Sequence, residues 1–381
     1  MFDEFPQEAG LIHLNHAAVA PWPKRTCAAV KAFADENMRV GSSHYPRWLA
    51  TEQRLRERLA RLMNAPAAED VALLKSTSEG LSVVAYGLNW AEGDNIVLPT
   101  HEFPSNRVVW ESLQYRFGVE VRQVDISADD PEAALLAAIN PRTRLLSVSA
   151  VQYARGLRLD LPRLGEACRS RGVLFCVDAI QQLGALPLDV QACHIDFLAA
   201  DGHKWLLGPE GLAVFYCRAE LRDALKLNQF GWHMLEAAGD YDRSDWAVAA
   251  DARRFECGSS NLLGIHALEA SVSLLEELGM GFVGDALKRN VEYLIDLLDQ
   301  TSFEVVSPRD PLRRAGIVSF NHADIDLPAL YRSLMDQGVL CALRGGAIRF
   351  SPHFYTPAAH LERAVELATM GYDPTNGVRP R

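Results

Sequence analysis

The chain of 381 residues lacks the features that mark several broad classes of protein. It has no run of roughly 18 consecutive apolar residues, the length that a membrane-spanning helix needs. Acidic residues outnumber basic ones by 49 to 38, and the resulting formal charge of −11 argues against a protein that binds the nucleic-acid backbone. The amino-terminal residues include neither the basic nor the apolar region of a secretion signal. We therefore expect neither a membrane nor a nucleic acid as a partner.

The seven cysteines form no CxxC pair and show no metal-ligand spacing. Several of them, Cys176 and Cys341 included, lie inside apolar runs, where a thiol acts mostly as a small buried hydrophobe. Structural disulfides belong to oxidising compartments, and this odd, scattered set does not resemble a disulfide framework. The cysteines thus predict a reduced, cytoplasmic protein without a metal site.

Short apolar segments alternate with helix-like segments through the first two thirds of the chain. Continuous apolar strands that alternate with helices are typical of a mainly parallel sheet covered on both faces. In the last third, strand and helix candidates follow one another without strict alternation, which predicts a smaller α+β carboxy-terminal domain. The length agrees with two domains. Residues 373–381 are expected to form a frayed tail.

Three of the predicted strands end in residues that can carry chemistry. The apolar residues 173–177 lead to Asp178, and residues 195–200 lead to Lys204. A third strand leads to a hydroxyl-rich helix start at Ser76. Because ligands bind at the carboxyl ends of strands in an open α/β sheet, we expect an amine, a carboxylate and a helix start to meet in one crevice.

Pyridoxal phosphate (PLP) is a cofactor that needs these three groups. Its aldehyde forms a Schiff base with a lysine whose pKa is lowered, and its ring nitrogen needs an acidic partner to stay protonated. Its phosphate binds the free N–H groups at the amino terminus of a helix. The three strand ends therefore predict a PLP site.

Six short motifs occur in order along the chain: Thr77-Ser78-Glu79-Gly80, Glu102-Phe103-Pro104-Ser105-Asn106, Val177-Asp178-Ala179-Ile180-Gln181, Gly202-His203-Lys204, Phe255-Glu256-Cys257-Gly258-Ser259 and Ile348-Arg349. With these motifs the chain resembles the class V aminotransferases of PLP fold type I, from His13 almost to its carboxyl terminus. That family includes cysteine desulfurases, kynureninase and isopenicillin N epimerase-like enzymes. The resemblance implies a homodimer with shared active sites, a large PLP-binding domain over residues 18–265, and a small domain built from residues 1–17 and 266–381.

The resemblance also implies the roles of the reactive residues. Lys204 would form the Schiff base and, once substrate displaces it, would move the Cα proton. Asp178 would pair with the pyridine nitrogen, and Gln181 would lie near the pyridine oxygen. Taken alone, Lys204 could be a surface lysine and Asp178 a strand-end cap. The apolar stretch around the lysine does not suit a surface position.

Contacts to the cofactor phosphate are implied for Thr77 and Ser78 at the strand-to-helix turn, for His203, and for Ser259, which would reach the phosphate of the neighbouring subunit. Without a ligand, Thr77 and Ser78 would belong to a plain helix N-cap, and Ser259 to a loop. Asp201 stands where relatives often have a serine that donates to the phosphate. Because a carboxylate cannot donate a hydrogen bond, some of the phosphate contacts must differ in this chain.

The resemblance places four further residues in the site: Phe103 and Tyr153 at the cofactor, and Asn15 and His16 at the substrate. Phe103 aligns with a position where relatives stack an aromatic ring or a histidine on the cofactor, although a phenylalanine is also a common core residue. Tyr153 lies where relatives contact the cofactor's oxygen. Asn15 and His16 belong to the amino-terminal segment that closes over the site in the family, and a lone histidine also occurs as a structural residue.

Arg349 is the candidate for binding the substrate α-carboxylate, since a guanidinium grips a carboxylate through two parallel hydrogen bonds. The alternative is a surface salt bridge. Arg344 could bind a second acidic group or stabilise the turn that follows it. Cysteine desulfurases carry a nucleophilic cysteine on a loop in this region, but residues 344–347 lead straight into the next strand and include none. Cys341 should be buried, so we expect no functional persulfide.

The expected function is that of a PLP-dependent enzyme that acts on a small amino acid through an external aldimine and a quinonoid. An aminotransferase or a C–S lyase reaction is the main expectation. Cysteine desulfuration, epimerisation and kynureninase-like C–C cleavage share the same early steps and stay open. The alternative from another class is a non-catalytic, PLP-binding regulatory protein that has kept the pocket.

Overall fold

The computed structural model describes residues 2–370, so the tail expected at residues 373–381 lies outside the described part. Its helices are α1 (Lys24–Val40), α2 (Tyr45–Leu62), α3 (Thr77–Gly87), α4 (Ser105–Phe117), α5 (Pro131–Ala137), α6 (Leu161–Arg171), α7 (Leu262–Leu278), α8 (Met280–Asp299), α9 (Leu327–Asp336) and α10 (Ala358–Met370). Its strands are β1 (Ile12–His13), β2 (Val71–Leu74), β3 (Asn95–Pro99), β4 (Glu120–Val124), β5 (Thr143–Ser149), β6 (Leu174–Asp178), β7 (Phe197–Asp201), β8 (Ala213–Cys217), β9 (Glu304–Val305), β10 (Val318–Asn321), β11 (Val339–Leu340), β12 (Ala342–Arg344) and β13 (Ala347–Phe350). None of the described helices has both the length and the apolar character needed to cross a membrane.

A seven-stranded sheet with the order β2-β8-β7-β6-β5-β3-β4 lies at the centre of the larger part of the chain. The strands from β7 to β4 run parallel to one another, and β8 lies antiparallel between β2 and β7. The inner strands are buried almost throughout because helices pack on both faces, which confirms the predicted α/β fold. The edge strand β4 is half-exposed, so its sequence lacked the apolar run from which the other strands were predicted.

The carboxyl ends of β2, β5, β6 and β7 meet at one edge of this sheet, since β2 and β7 are both antiparallel to β8. Ser149, Asp178 and Ala199 lie side by side across β5, β6 and β7. Helix α3 follows β2 and packs on β7 through Gly80, where a Cβ atom would lie 2.9 Å from the Cβ of Ala199. A larger residue than glycine would therefore push the start of α3 away from the sheet edge.

The carboxy-terminal part forms a four-stranded antiparallel sheet with the order β12-β13-β10-β9. Near the amino terminus, β1 pairs in parallel with β11, and Asn15 forms a bridge to Ser351. Residues 339–343 form one apolar run in the sequence, but the structure divides it because β11 pairs with β1 whereas β12 pairs with β13. The amino-terminal segment thereby lies beside the strand that carries Arg349. The domain boundaries expected from the sequence stay predictions.

Candidate active site

Lys204 lies just beyond the end of β7, at the carboxyl edge of the large sheet, and only 8 % of it is exposed. The pKa of its ammonium group is lowered to about 8, mainly by burial and also by nearby Arg349 and Arg344, whereas the carboxylates of Asp178 and Asp201 oppose this shift. A lysine with such a pKa is partly neutral near physiological pH. Its amine can then act as a nucleophile or as a base.

Asp178 ends β6 beside this lysine and is 2 % exposed. Burial raises the pKa of its carboxyl group to about 6, against the opposing effects of a hydrogen bond from the Ile180 N–H and of the Lys204 charge. A buried carboxylate of this kind is stabilised by a cationic or proton-bearing partner. The side-chain amide of Gln181 donates to the backbone oxygen of Ala17 at 3.1 Å and accepts from the indole N–H of Trp205 at 2.8 Å.

The start of α3 lies opposite the end of β7. Ser76 is the N-cap and accepts a hydrogen bond from the Glu79 N–H. Asp201 Oδ2 accepts from the Thr77 N–H at 2.9 Å and from the Thr77 hydroxyl at 3.2 Å. Ser78 donates through its hydroxyl to Ser105 Oγ at 2.8 Å, at the start of α4. The amino ends of two helices therefore carry hydroxyl groups at this edge, where the helix dipoles favour an anion.

An imidazole and two aromatic rings complete this side of the crevice. His203 Nδ1 is buried, has no hydrogen-bond partner among the described residues, and lies 3.7 Å from Asp201 Oδ1. Phe103 is 41 % exposed, and its ring centroid lies 5.5 Å from Lys204 Nζ. The ring of Tyr153 packs edge-on against Phe103, with 5.3 Å between the two centroids. An apolar ring this exposed beside a buried amine offers a face on which a planar ligand can stack.

Glu102, which the sequence indicates only as part of a motif, anchors the loop that carries Phe103. Its carboxyl group accepts the Ser149 N–H at 2.7 Å and also the Ser149 hydroxyl. Burial raises the pKa of this carboxyl group to about 7, and the neighbouring charge of Asp178 adds to that rise, whereas the Ser149 hydrogen bonds oppose it. The loop from β3 to α4 is thereby fixed to the end of β5.

Arg349 brings a buried cation to the crevice from β13 and is 2 % exposed. Its Nη1 donates to the backbone oxygen of Tyr153 at 2.7 Å, and its Nη2 lies 3.4 Å from Asn15 Oδ1. Its Nε has no partner among the described residues. The pKa of the guanidinium is lowered to about 10, mainly by burial and also by the charge of Arg344. A ligand carboxylate would supply the anion that this buried cation lacks.

His16 lies in a buried cluster of rings, and both of its ring nitrogens have partners. Nδ1 lies 2.8 Å from the backbone oxygen of Ser351, and Nε2 lies 2.6 Å from the Tyr355 hydroxyl. Burial holds the pKa of this imidazole well below its usual range, and the charges of His13 and His353 act in the same direction. These contacts join the amino-terminal segment to the residues that follow β13, and the predicted place of His16 at the substrate stays a prediction.

Ser259 is exposed in the segment before α7. That segment is held to the large sheet through Glu256, whose carboxylate accepts the Leu73 N–H at 2.7 Å. Arg56, on α2, donates to the same carboxylate at 2.5 Å and 2.8 Å and to Glu52 at 2.5 Å. Sequence reasoning did not find Arg56, whose partner Glu256 lies 200 positions away along the chain.

The region where cysteine desulfurases were expected to carry their nucleophile is a tight turn. Gly345 and Gly346 join β12 to β13 with φ values of 56° and 76°, which only glycine adopts readily. Cys341 is 1 % exposed, and burial raises the pKa of its thiol to about 12. Arg344 ends β12, is exposed, and donates to the backbone oxygen of Leu343. No thiol lies on this turn.

The family model described as Aminotransferase class-V matches residues 12–360. A probable cysteine desulfurase of Methanothermobacter thermautotrophicus is 29 % identical over an alignment that covers 94 % of this chain and 95 % of that protein. The apo cysteine desulfurase of Thermococcus onnurineus NA1 superposes with a TM-score of 0.83 at 25 % identity and covers 95 % of this chain and 94 % of its own.

Two structures of the protein C-DES also resemble this chain. C-DES with glycine covalently linked to its PLP cofactor gives a TM-score of 0.88 at 24 % identity, with coverage of 96 % of this chain and 98 % of its own. The cystine C–S lyase C-DES with its product cysteine persulfide gives a TM-score of 0.87 at 24 % identity, with coverage of 94 % of this chain and 98 % of its own. At that identity the likeness shows the fold, and it confirms the predicted PLP fold type I.

Proposed function

Because the chain belongs to the class-V aminotransferase family, we propose that it is a PLP-dependent enzyme that deprotonates a small amino acid at Cα and cleaves its C–S bond. The observation that carries this proposal is the buried pair of Lys204 and Asp178 at the carboxyl edge of the sheet, with pKa values of about 8 and about 6. The names of its relatives, a cysteine desulfurase and a C–S lyase, support sulfur chemistry.

The residues at this edge fit PLP. Lys204 offers an amine, Asp178 a buried carboxylate for the ring nitrogen, and Phe103 an open aromatic face. The unpartnered Nδ1 of His203 and the hydroxyl of Ser78 lie where an anionic group would sit at the start of α3. When bound, PLP supplies an electron sink for the charge that develops at the substrate Cα atom.

Lys204 would hold and move the Cα proton at its Nζ atom. Its lowered pKa leaves a fraction of the amine neutral near pH 7, so that it can accept the proton and later return it. Asp178 would hold a proton at the ring nitrogen, because the low polarity around this buried carboxylate strengthens a charge-assisted hydrogen bond. Glu102 keeps the loop with Phe103 in place above the amine.

Arg349 would bind and orient the substrate α-carboxylate. Its Nη1 is fixed by the backbone of Tyr153, which leaves Nε and the weakly engaged Nη2 for the ligand. These two N–H groups form the fork that suits a carboxylate. Arg344, exposed at the end of β12, would meet a second anionic group of a larger substrate.

Sulfur would leave the substrate without passing to a thiol of this chain. The two-residue turn consists of Gly345 and Gly346 and contains no cysteine, and Cys341 is buried with a raised pKa. A C–S lyase reaction therefore fits this site better than a desulfurase reaction that depends on a protein persulfide.

The first experiment identifies the lysine to which PLP is covalently attached. The protein loaded with PLP is reduced with borohydride, and its peptides are analysed by mass spectrometry. We expect the adduct on Lys204, and we expect Lys204→Ala to lose it while some cofactor is retained through the contacts at Ser78. The exposed Lys226→Ala is the matched control. An adduct on another lysine would exclude the assignment.

The second experiment identifies the reaction. The holoenzyme is incubated with a panel of amino acids that includes L-cysteine and L-cystine, in deuterated water, and Cα exchange, pyruvate, alanine, ammonia, sulfide and D-isomers are measured. Pyruvate and ammonia with released sulfur species support the C–S lyase. Alanine with a protein persulfide would show a desulfurase instead. A keto acid formed in step with an aminated cofactor would show an aminotransferase. A bound cofactor that exchanges no Cα proton would favour the non-catalytic alternative.

The homodimer stays part of the proposal. Ser259 is exposed beyond the anchor of Glu256, which is a position from which a side chain could reach a neighbouring subunit. Light scattering during size-exclusion chromatography tests the oligomeric state. Mixing Lys204→Ala with Ser259→Ala subunits tests the shared site, because hybrid dimers with one intact site should regain activity.

A further inference from the structure

Asp201 places a carboxylate at the first turn of α3, where the proposed function puts the phosphate of the cofactor. The carboxylate accepts two hydrogen bonds from Thr77, and the Asp201 N–H donates back to the Thr77 hydroxyl at 3.0 Å. The side chain is 11 % exposed. Both polar groups of Thr77 that could bind a phosphate are thus already engaged by an anion of the protein.

The charged groups around Asp201 do not cancel its effect on a second anion. Lys204 is the nearby cation, but it would be covalently engaged by the cofactor. Asp178 adds another carboxylate at the same sheet edge, and it interacts electrostatically with Asp201. His203 also faces the carboxylate, with its Nδ1 3.7 Å from Asp201 Oδ1. A phosphate monoester carries between one and two negative charges near pH 7, so it would meet a like charge here.

We propose that Asp201 is a specificity-determining residue for the cofactor, one that reduces how much the phosphate contributes to binding. The inference rests on the proposed function. Asp201 occupies the Thr77 amide and repels the phosphate. The protein should therefore prefer PLP over unphosphorylated pyridoxal by a smaller factor than it would with a serine at position 201. The same carboxylate stabilises the start of α3 in the absence of a ligand, because it accepts a hydrogen bond from an N–H group of the first turn.

The measured quantity is the ratio of the Kd for pyridoxal to the Kd for PLP, taken from titrations of the apoprotein followed by absorbance. In Asp201→Ser, which removes the charge and adds a donor, we expect this ratio to rise at least about ten-fold, the factor that one charge-assisted hydrogen bond supplies. In Asp201→Asn, which keeps an acceptor for the Thr77 N–H, we expect a smaller rise. The Kd for pyridoxal should stay within about three-fold in both variants.

Inorganic phosphate provides an independent probe. We expect it to compete with PLP at lower concentrations in Asp201→Ser than in the unmodified protein. Melting temperatures of the apoproteins show whether each variant folds. If Asp201→Ser does not fold, the ratio is measured in Asp201→Asn instead. An unchanged or reduced ratio in a folded variant would overturn the role of Asp201. Failure of the unmodified protein to attach PLP at Lys204 would instead overturn the proposed function itself.

Discussion

Replacing Arg349 with alanine tests how the site selects its substrate. Arg349 is 2 % exposed and has no acidic partner among the described residues, so we expect the substrate carboxylate to be its main ionic contact. A charge-assisted hydrogen bond is worth about 1.5–3 kcal/mol, which corresponds to roughly 10- to 150-fold in binding. Since Nε has no partner among the described residues and Nη2 has only a long contact to Asn15, both can bind the carboxylate, and we expect KM to rise by one to three orders of magnitude.

The assay compares an amino acid substrate with the amine that lacks its carboxylate, for example L-cysteine with cysteamine. The unmodified enzyme should strongly prefer the amino acid in kcat/KM, and Arg349→Ala should lose most of that preference. Arg349→Lys keeps the charge but not the fork, so it should recover only part of it. Equal preference for the amino acid in Arg349→Ala and in the unmodified enzyme would refute the reasoning, and the matched variant Arg344→Ala would then locate the carboxylate site.

Three further predictions follow from buried groups. Cys341→Ala should leave the main activity within a few fold, and mass spectrometry after incubation with L-cysteine should find no persulfide on Cys341; a persulfide together with lost sulfide release in the variant would contradict this. Labelling of Lys204 by cyanate in the apoprotein should reach half its maximal rate at pH about 8, because burial favours the neutral amine. A half-maximal rate near the usual lysine pKa of roughly 10.4 would contradict this expectation. Arg56→Ala should lower the free energy of unfolding in urea by about 3–5 kcal/mol, since it removes the guanidinium partner of the buried carboxylates of Glu52 and Glu256. Arg54 is half-exposed, and its replacement with alanine should cost less than about 1 kcal/mol.

Local patterns predicted the elements that are both apolar and continuous, and they failed where an element depends on its partner. The strand that ends at Asp178 was predicted because it is buried on both sides. The edge strand β4 was missed because its outer residues face solvent. Residues 339–343 form one apolar run, but two different partner strands divide it. The sequence also did not indicate that the ring of His16 contacts Ser351 and Tyr355, more than 330 positions away along the chain.

The order of strands and motifs along the chain was enough to predict the fold class and to place Lys204 and Asp178 at one sheet edge. Parallel strands share the direction of their carboxyl ends, so a residue that follows such a strand is positioned by chain order alone. Only the tertiary structure decided how these residues behave. The lowered pKa of Lys204, the unpartnered guanidinium of Arg349 and the carboxylate of Asp201 against Thr77 all depend on contacts between distant segments. Burial and hydrogen bonding act through space, and a pattern of neighbours along the chain does not contain them.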